Sequence, residues 1–218
     1  MVERVYRRVS RVSGLTRVVV LTDDERVADT VRTFGGDVEM TPTDCASGTD
    51  RIAWAARSWD VDTILNVQGD EPLIDPRALE LLADHLVDHP ADPIATLASP
   101  AEPQDAENPN VVKVVTDLEG YALYFSRSPI PYPRDAGATT HKRHIGVYGY
   151  QRTQLLQIAS QEPTALERAE SLEQLRMLEH GFRIRVLMTD HAWPGVDTMN
   201  DLDELERLLR QRPELAEL

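Results

Sequence analysis

The chain has 218 residues, of which 41% are hydrophobic and 28% charged, values typical of a globular protein with one sizeable core. With 23 Lys and Arg residues against 37 Asp and Glu residues the formal net charge is −14, which disfavours a nucleic-acid partner because like charges repel. No apolar run is long enough to span a membrane, and the charged first ten residues lack the apolar core of a signal peptide, so we expect a cytoplasmic protein.

The first half of the chain alternates short β-branched runs with helical patterns. Strands are predicted at residues 17–22, 37–40, 62–68 and 93–98. Helices are predicted between the first two strands and at about 49–59 and 75–89. This alternation is typical of βαβ units, so we expect an α/β protein with a mostly parallel sheet covered on both faces.

The second half has a different pattern. VVKVVTD, LEG and YALYFS predict a strand, a tight turn and an antiparallel strand, and a proline-rich loop follows at 128–140. Strands are expected at 144–150 and 182–188, with one continuous helix at 163–181 and a closing helix at 199–211. We therefore expect a single domain over 1–218 with an inserted antiparallel segment at about 111–150.

The segment NVQGDEPLI, residues 66–74, is the most informative for chemistry. A buried strand ends there, which places Gln68 and Asp70 beyond its carboxyl end, where open α/β sheets bind ligands. Gly69 allows close approach of the backbone, and Asp70 offers a hard oxygen to a Mg²⁺ that also holds substrate phosphates. An ordinary turn followed by a helix cap would give the same pattern, and that alternative stays open.

A second carboxylate, Asp197, precedes the closing helix. Two aspartates at strand or loop ends on opposite sides of a crevice are what magnesium-assisted transfer of a nucleotide phosphate requires. Asp followed by Thr and a helix is equally typical of an N-cap.

SGTDR, residues 47–51, combines a predicted helix N-terminus with hydroxyl groups and Arg51. Backbone N–H groups and a guanidinium can hold an anion or a base there. Helix capping by Ser47 or Thr49 explains the same residues without a ligand.

Several polar residues of the second half are candidates for contacts with a ligand. Arg127 follows a strand directly and can hold a carboxylate through two hydrogen bonds. His144, Gly146 and Tyr148 share one strand face, although a lone histidine on a strand is more often structural. The spacing of Glu167, Glu170 and Gln174 predicts one helical stripe, which either faces solvent or lines a hydroxyl-rich ligand.

Several motifs occur together in one order along nearly the whole chain: TDD, SGTDR, NVQGDEP, NPNVVKVV, YALYFSR with PIP, HIGVYGY, ALERAESLEQLR and GVDT. In this order they resemble the 3-deoxy-manno-octulosonate (Kdo) cytidylyltransferases. SGTDR or GVDT alone is a weak signal, but NVQGDEP with YFSR and LEQLR is highly specific.

The resemblance implies a Rossmann-like sheet of the nucleotidyltransferase type with a small antiparallel dimerisation subdomain. It also implies a homodimer that converts CTP and Kdo, a 2-keto-3-deoxy sugar acid, into CMP-Kdo and pyrophosphate for lipopolysaccharide assembly, with Mg²⁺ as cofactor. By matching motifs, Asp70 and Asp197 become catalytic metal ligands. The nucleotide site would include Ser47, Gly48, Arg51 and Gln68, and the sugar-acid site Arg127, His144, Tyr148, Glu170 and Gln174.

The sequence departs from the family pattern at its start. Members begin with a strand and a basic loop of the form PAR-x-x-S-x-R-L-P-x-K, whereas MVERVYRR resembles the helix that follows that loop. The loop's cations grip the triphosphate in the family, so we expect weaker CTP binding by the chain as printed.

An inactive or binding-only remnant is one alternative; others are a cytidylyltransferase for the 8-amino analogue of Kdo or for sialic acid, and a magnesium-dependent glycosyltransferase.

Overall fold

The computed structural model describes residues 1–135, 140–190, 193, 195–196, 198–212 and 215. The chain forms two compact units. The first comprises Met1–Ser58, Val67–Glu80 and Trp193–Leu218, and the second Trp59–Asn66 and Leu81–Ala192. The predicted antiparallel segment at 111–150 lies in the second unit, and the proposal that the whole chain is one domain stays a prediction.

The first unit contains a parallel strand pair with helices. Its elements are α1 (Val2–Val9), β1 (Val20–Thr22), α2 (Glu25–Thr33), β2 (Val38–Met40), α3 (Gly48–Ala56), the start of α4 (Pro76–Asp88) and α8 (Met199–Gln211). β1 and β2 run parallel with Val20 opposite Val38. Asp24 begins α2 by accepting a hydrogen bond from the Arg26 amide at 2.8 Å, which satisfies a helix-end donor.

The second unit contains, in the described residues, a six-stranded sheet with the order β6-β5-β7-β4-β8, in which β3 also pairs with β7. The strands are β3 (Thr63–Asn66), β4 (Ile94–Pro100), β5 (Lys113–Thr116), β6 (Ala122–Ser126), β7 (Lys142–Gln151) and β8 (Arg185–Met188). The rest of α4 and three further helices accompany them: α5 (Arg152–Ile158), α6 (Ala165–Glu170) and α7 (Gln174–Glu179).

The predicted α/β class is confirmed, and the strand ladders are mixed in direction. β1 with β2 and β4 with β8 are parallel. β7 is antiparallel to β3, β4 and β5, and β5 is antiparallel to β6, as the predicted hairpin requires. No helix in the described residues is long and apolar enough to cross a bilayer.

The prediction of one continuous helix at 163–181 is wrong. The chain leaves α6 at Ser171, whose φ of 52° and ψ of 50° are left-handed, and α7 begins at Gln174. The guanidinium of Arg127 donates hydrogen bonds to the carbonyl groups of Glu170 and Ser171. Because Arg127 is distant in sequence, the local periodicity of residues 163–181 gives no sign of this contact. Glu167, Glu170 and Gln174 therefore do not share one helical stripe. Helix α5 is an element that the sequence analysis missed.

Gly149 on β7 allows close packing of α4 against the sheet. A Cβ atom at this position would lie 2.4 Å from Leu86 Cδ1, 3.1 Å from Leu82 Cγ and 3.2 Å from Leu65 Cδ2. These are separations that real Cβ atoms avoid, so the glycine is required by a buried contact rather than by a turn.

We expect Gly149→Ala to lower the free energy of unfolding by about 1–3 kcal/mol, because the added methyl group overpacks this contact. Gly146→Ala is the matched control on the same strand, since its Cβ would meet no atom within 4 Å, and we expect a change below about 0.5 kcal/mol. Urea denaturation of both variants measures the difference. Equal stability of the two would contradict the packing argument.

Candidate functional site

In the first unit, the N-terminus of α3 lies beside the side chain of Gln68. Ser47 is the N-cap, and its Oγ accepts a hydrogen bond from the Asp50 amide at 3.1 Å. A Cβ added to Gly48 would lie 3.5 Å from Gln68 Nε2 and 3.6 Å from Oε1. The structure thus brings together three predicted nucleotide-site residues, and capping by Ser47, one of the two sequence-based explanations of SGTDR, is confirmed.

Arg51 joins the carboxyl ends of the two parallel strands. Its Nη2 lies 3.1 Å from Asp23 Oδ2, just after β1, and its Nη1 donates to Thr41 Oγ1, just after β2. Carboxyl ends of parallel strands are where α/β proteins bind ligands. Sequence reasoning noted TDD as a motif but did not assign Asp23 a role, and it missed Thr41.

The loop that carries Asp70 is a turn held by several backbone hydrogen bonds. The Glu71 amide donates to the Gln68 carbonyl at 3.3 Å, and the Asp70 carbonyl accepts from the Val196 amide at 2.9 Å. Asp75 provides the cap of α4, because it accepts from the Arg77 amide at 2.9 Å. The half-buried Asp70 is therefore not that helix cap.

Two arginines of α1 fix the segment that follows Asp70. Arg8 is buried and donates Nε to the Ile74 carbonyl at 2.7 Å and Nη2 to the Leu73 carbonyl at 3.1 Å. Arg4 donates Nε to the Pro72 carbonyl at 3.0 Å. Burial lowers the pKa of Arg8 from its ordinary value, which reflects the cost of desolvating its charge. Sequence reasoning assigned neither arginine a role.

The predicted metal ligands are only partly within the described residues, since Asp197 lies outside them. Among the described residues no three His, Cys, Asp or Glu side chains are grouped so that they could hold a metal ion. Mg²⁺ usually takes one or two protein carboxylates together with substrate phosphates, so the donor chemistry of Asp70 fits such an ion. The cap of α8 is Thr198, whose Oγ1 accepts from the Asp201 amide at 3.3 Å.

In the second unit, Arg127 and Glu170 belong to a polar group that we call the Glu170 cluster: Lys113, Ser126, Arg127 and Glu170. The Glu170 carboxylate accepts hydrogen bonds from Ser126 Oγ at 2.6 Å and from the Arg127 amide at 2.9 Å. The Arg127 guanidinium donates to the carbonyls of Glu170 at 2.8 Å, Pro109 at 3.0 Å and Ser171 at 3.4 Å. These bonds use three of its five N–H groups.

Lys113 is the member of the Glu170 cluster that sequence reasoning missed. It is fully buried, and its Nζ donates to the carbonyls of Arg127 at 2.6 Å and Asn108 at 2.9 Å. Desolvation lowers its pKa, while Glu107 and Glu170 act in the opposite direction. A lysine inside the hydrophobic run VVKVV was the available signal, because an unpaired lysine is costly to bury.

His144 and Tyr148 lie on the same face of β7, as their period-two spacing predicts. Their ring centroids are 5.5 Å apart, and Phe125 of β6 makes an edge contact with His144 at 4.9 Å. Burial lowers the pKa of His144 to about 3 and raises that of Tyr148 well above its ordinary value, so both side chains are neutral at pH 7. Gln174 is buried at the start of α7.

Comparison with known proteins identifies the family of this chain. The cytidylyltransferase family model matches residues 1–184. The 3-deoxy-manno-octulosonate cytidylyltransferase of Geobacter sulfurreducens is 50% identical over 221 residues, which cover 95% of this chain and 88% of that protein. Its counterpart in Syntrophotalea carbinolica is 49% identical over 220 residues, which cover 96% of this chain and 88% of that protein. The chain belongs to the 3-deoxy-manno-octulosonate cytidylyltransferase family.

A solved structure of a family member agrees with this assignment. It is described as CMP:2-keto-3-deoxy-manno-octonic acid synthetase complexed with CTP. It matches with a TM-score of 0.92 and 42% identity, covering 96% of this chain and 87% of that one. The resemblance inferred from NVQGDEP, YFSR and LEQLR is therefore confirmed, and so is the nucleotidyltransferase-type fold.

We expect Lys113→Met to lower the free energy of unfolding by about 2 kcal/mol, because two carbonyl groups lose a buried donor. Lys142→Met is the control: this half-buried lysine donates only one described hydrogen bond, to Thr116 Oγ1 at 2.6 Å, and we expect a loss below about 1 kcal/mol. Thermal and urea unfolding compare the variants. A Lys113→Met protein as stable as the control would show that the cluster tolerates the loss of its lysine.

Proposed function

We propose that this protein transfers the cytidylyl group of CTP to Kdo, giving CMP-Kdo and pyrophosphate for lipopolysaccharide assembly. The match to Kdo cytidylyltransferases at 49–50% identity over nearly the whole chain carries this proposal. The location that we propose is the cytoplasm, where CTP is made.

The residues of the first unit are proposed to hold CTP. The N-terminus of α3 presents backbone N–H groups, Gln68 presents an amide beside it, and Arg51 adds a positive charge at the ends of β1 and β2. An amide can pair with the donors and acceptors of a pyrimidine base, whereas N–H groups and a guanidinium suit phosphate oxygens.

The residues of the second unit are proposed to hold the sugar acid. Arg127 retains two N–H groups beyond its three carbonyl bonds, enough for a carboxylate. His144, Tyr148 and Gln174 offer neutral hydrogen-bonding groups to hydroxyls, and the Glu170 carboxylate has acceptor capacity beyond the two bonds that it already receives.

The proposed reaction is an in-line attack of the anomeric hydroxyl of Kdo on the α-phosphorus of CTP, with pyrophosphate leaving. Asp70 and Asp197 are proposed to hold Mg²⁺, which when bound would neutralise phosphate charge. The Val196 amide, one residue before Asp197 in the sequence, donates to the Asp70 carbonyl at 2.9 Å, and this supports a shared site. Positioning of the two substrates carries the rest of the catalysis, and we assign no general base.

Pyrophosphate release from CTP, Kdo and Mg²⁺ tests the proposal, with UTP replacing CTP and with sialic acid or the 8-amino analogue replacing Kdo. We expect turnover that requires both CTP and Kdo, and a preference for sialic acid would overturn the substrate assignment. A chimera preceded by the N-terminal segment of the Geobacter sulfurreducens relative is a second arm. Pyrophosphate release by the chimera but not by the present chain would place CTP contacts in that segment. No release by either protein, when both are folded, would contradict the proposed reaction.

We expect Asp70→Asn to reduce kcat at least about 100-fold, because the change removes a carboxylate charge from the proposed metal site. Asp75→Asn is the matched control in the same loop. It removes the ion pair with Arg77 but keeps an acceptor for the cap of α4 and leaves the proposed ligand intact, so activity should stay within about threefold. Magnesium titration of both variants completes the measurement, and full activity of Asp70→Asn would exclude Asp70 from the site.

We further propose a homodimer formed through the antiparallel segment at 111–150. Large apolar side chains are exposed in this segment, namely Leu118 between β5 and β6, Leu123 on β6 and Tyr132 beyond it. β6 is also an end strand in the order of the described sheet, and exposed strand edges favour pairing with a further chain.

If this proposal is correct, Leu123→Lys will shift the protein towards monomer, because a charge replaces a 62% exposed leucine in the proposed interface. Leu166→Lys serves as the control, since Leu166 is 39% exposed on α6 and lies outside the segment. Light scattering after size exclusion reports the mass. A wild-type monomer, or a dimer that is insensitive to Leu123→Lys, would contradict the proposed interface.

A further inference from the structure

Thr96 is a fully buried threonine of β4 whose hydroxyl contacts His144. Its Oγ1 lies 3.0 Å from His144 Nε2, 2.7 Å from the Val147 carbonyl oxygen and 3.3 Å from the Ile145 carbonyl oxygen. Tyr148 is opposite Thr96 and Ile145 is opposite Leu97, so the ladder between β4 and β7 is irregular at this point. The hydroxyl therefore connects the irregular part of β7 to the histidine side chain.

The position of the hydroxyl proton follows from these distances. A carbonyl oxygen carries only lone pairs, so an O···O separation of 2.7 Å to Val147 requires a proton between the two oxygens. Thr96 has one hydroxyl proton, which is thereby committed to the carbonyl. Only lone pairs of Oγ1 then face His144, and the hydrogen bond at 3.0 Å requires that Nε2 carries a proton.

The protonation state of His144 determines what its other nitrogen can do. Burial disfavours the charged ring and lowers the pKa of His144 to about 3, so one N–H group is present at pH 7. With that proton on Nε2, Nδ1 carries a lone pair and accepts hydrogen bonds. The rings of Phe125 and Tyr148, with centroids 4.9 Å and 5.5 Å from that of His144, restrict the orientation of the imidazole.

We infer that Thr96 is a positioning residue that fixes His144 as the Nε2–H tautomer, so that Nδ1 accepts a hydrogen bond from a hydroxyl group of the sugar acid. The identity of the ligand rests on the proposed function, whereas the tautomer does not. A ligand that presents a donor at this position fits the site, and one that presents only an acceptor is rejected because two lone pairs would face each other.

The competing explanation is that Thr96 only satisfies carbonyl groups of β7. Thr96→Val keeps the shape and removes the hydroxyl, and Thr96→Ser restores the hydroxyl without the methyl group. A purely structural role predicts that both variants alter stability while the tautomer of His144 stays the same. The positioning role predicts a change of tautomer in Thr96→Val that Thr96→Ser reverses.

Long-range ¹H–¹⁵N NMR of the full chain with ¹⁵N-labelled histidine, at pH 7, reads the tautomer directly, and a His144→Gln variant assigns the resonance. We expect only the Nε2–H form in the wild type and in Thr96→Ser, and a mixture of forms in Thr96→Val. An Nδ1–H form in the wild type would overturn the inference even if Thr96→Val failed to fold. An unchanged tautomer in folded Thr96→Val would overturn it as well.

Kinetics and titration test the link to the ligand. We expect Thr96→Val to raise KM for Kdo about tenfold, which corresponds to the free energy of one hydrogen bond to a ligand. The KM for CTP should stay unchanged. The KM of Thr96→Ser for Kdo should lie within about twofold of the wild-type value. Kdo should also shift the Nδ1 resonance of the wild type. If the enzyme turns over Kdo without that shift, the role of Nδ1 is refuted. If Kdo is not a substrate but the tautomer is as stated, the proposed function fails and the assignment of Thr96 stands.

Discussion

Strand β7 forms hydrogen bonds along both of its edges, and the residues of the second unit that are proposed to hold the sugar acid depend on that arrangement. β4 pairs with it over nearly its whole length, while β3 and β5 pair with its other edge at opposite ends. A strand held on both sides cannot slip by one residue without exchanging its two faces. His144 and Tyr148 are therefore fixed on one face by the ladder itself, and Gly149 fixes the depth at which α4 packs against it.

Buried and half-buried cations of both units bind backbone carbonyl groups, and this has an electrostatic consequence. Arg4 and Arg8 hold the carbonyls after Asp70, and Lys113 and Arg127 hold those around the Glu170 cluster. A carbonyl satisfies the hydrogen-bonding need of a cation but does not cancel its charge. Positive potential can thus persist near the proposed sites for an anionic nucleotide and a sugar acid, although the chain carries a net charge of −14.

Local signals were sufficient for the elements and motifs that depend on neighbouring residues. The alternation of strands and helices, the hairpin at 111–126 and the cap at Ser47 each follow from residues a few positions apart. Contacts between distant residues were not predictable in this way. No spacing links Arg8 to Leu73 and Ile74, or Thr96 to His144, because those pairs meet only after the sheet and loops have formed. The roles of Arg8 and Thr96 are of this second kind, whereas the buried Lys113 had a local signal in the run VVKVV.

The break between α6 and α7, which the helical periodicity failed to predict, is a condition for holding Arg127. In a continuous helix the carbonyls of Glu170 and Ser171 would accept from the amides of Gln174 and Leu175. Here the Leu175 amide donates to Leu172, and Arg127 takes both of those carbonyls as acceptors. The left-handed conformation at Ser171 costs about 1 kcal/mol or more, but it releases acceptors that orient the half-buried Arg127 guanidinium. A break in regular structure at this point is therefore better explained by the contacts of Arg127 than by the stability of the helix.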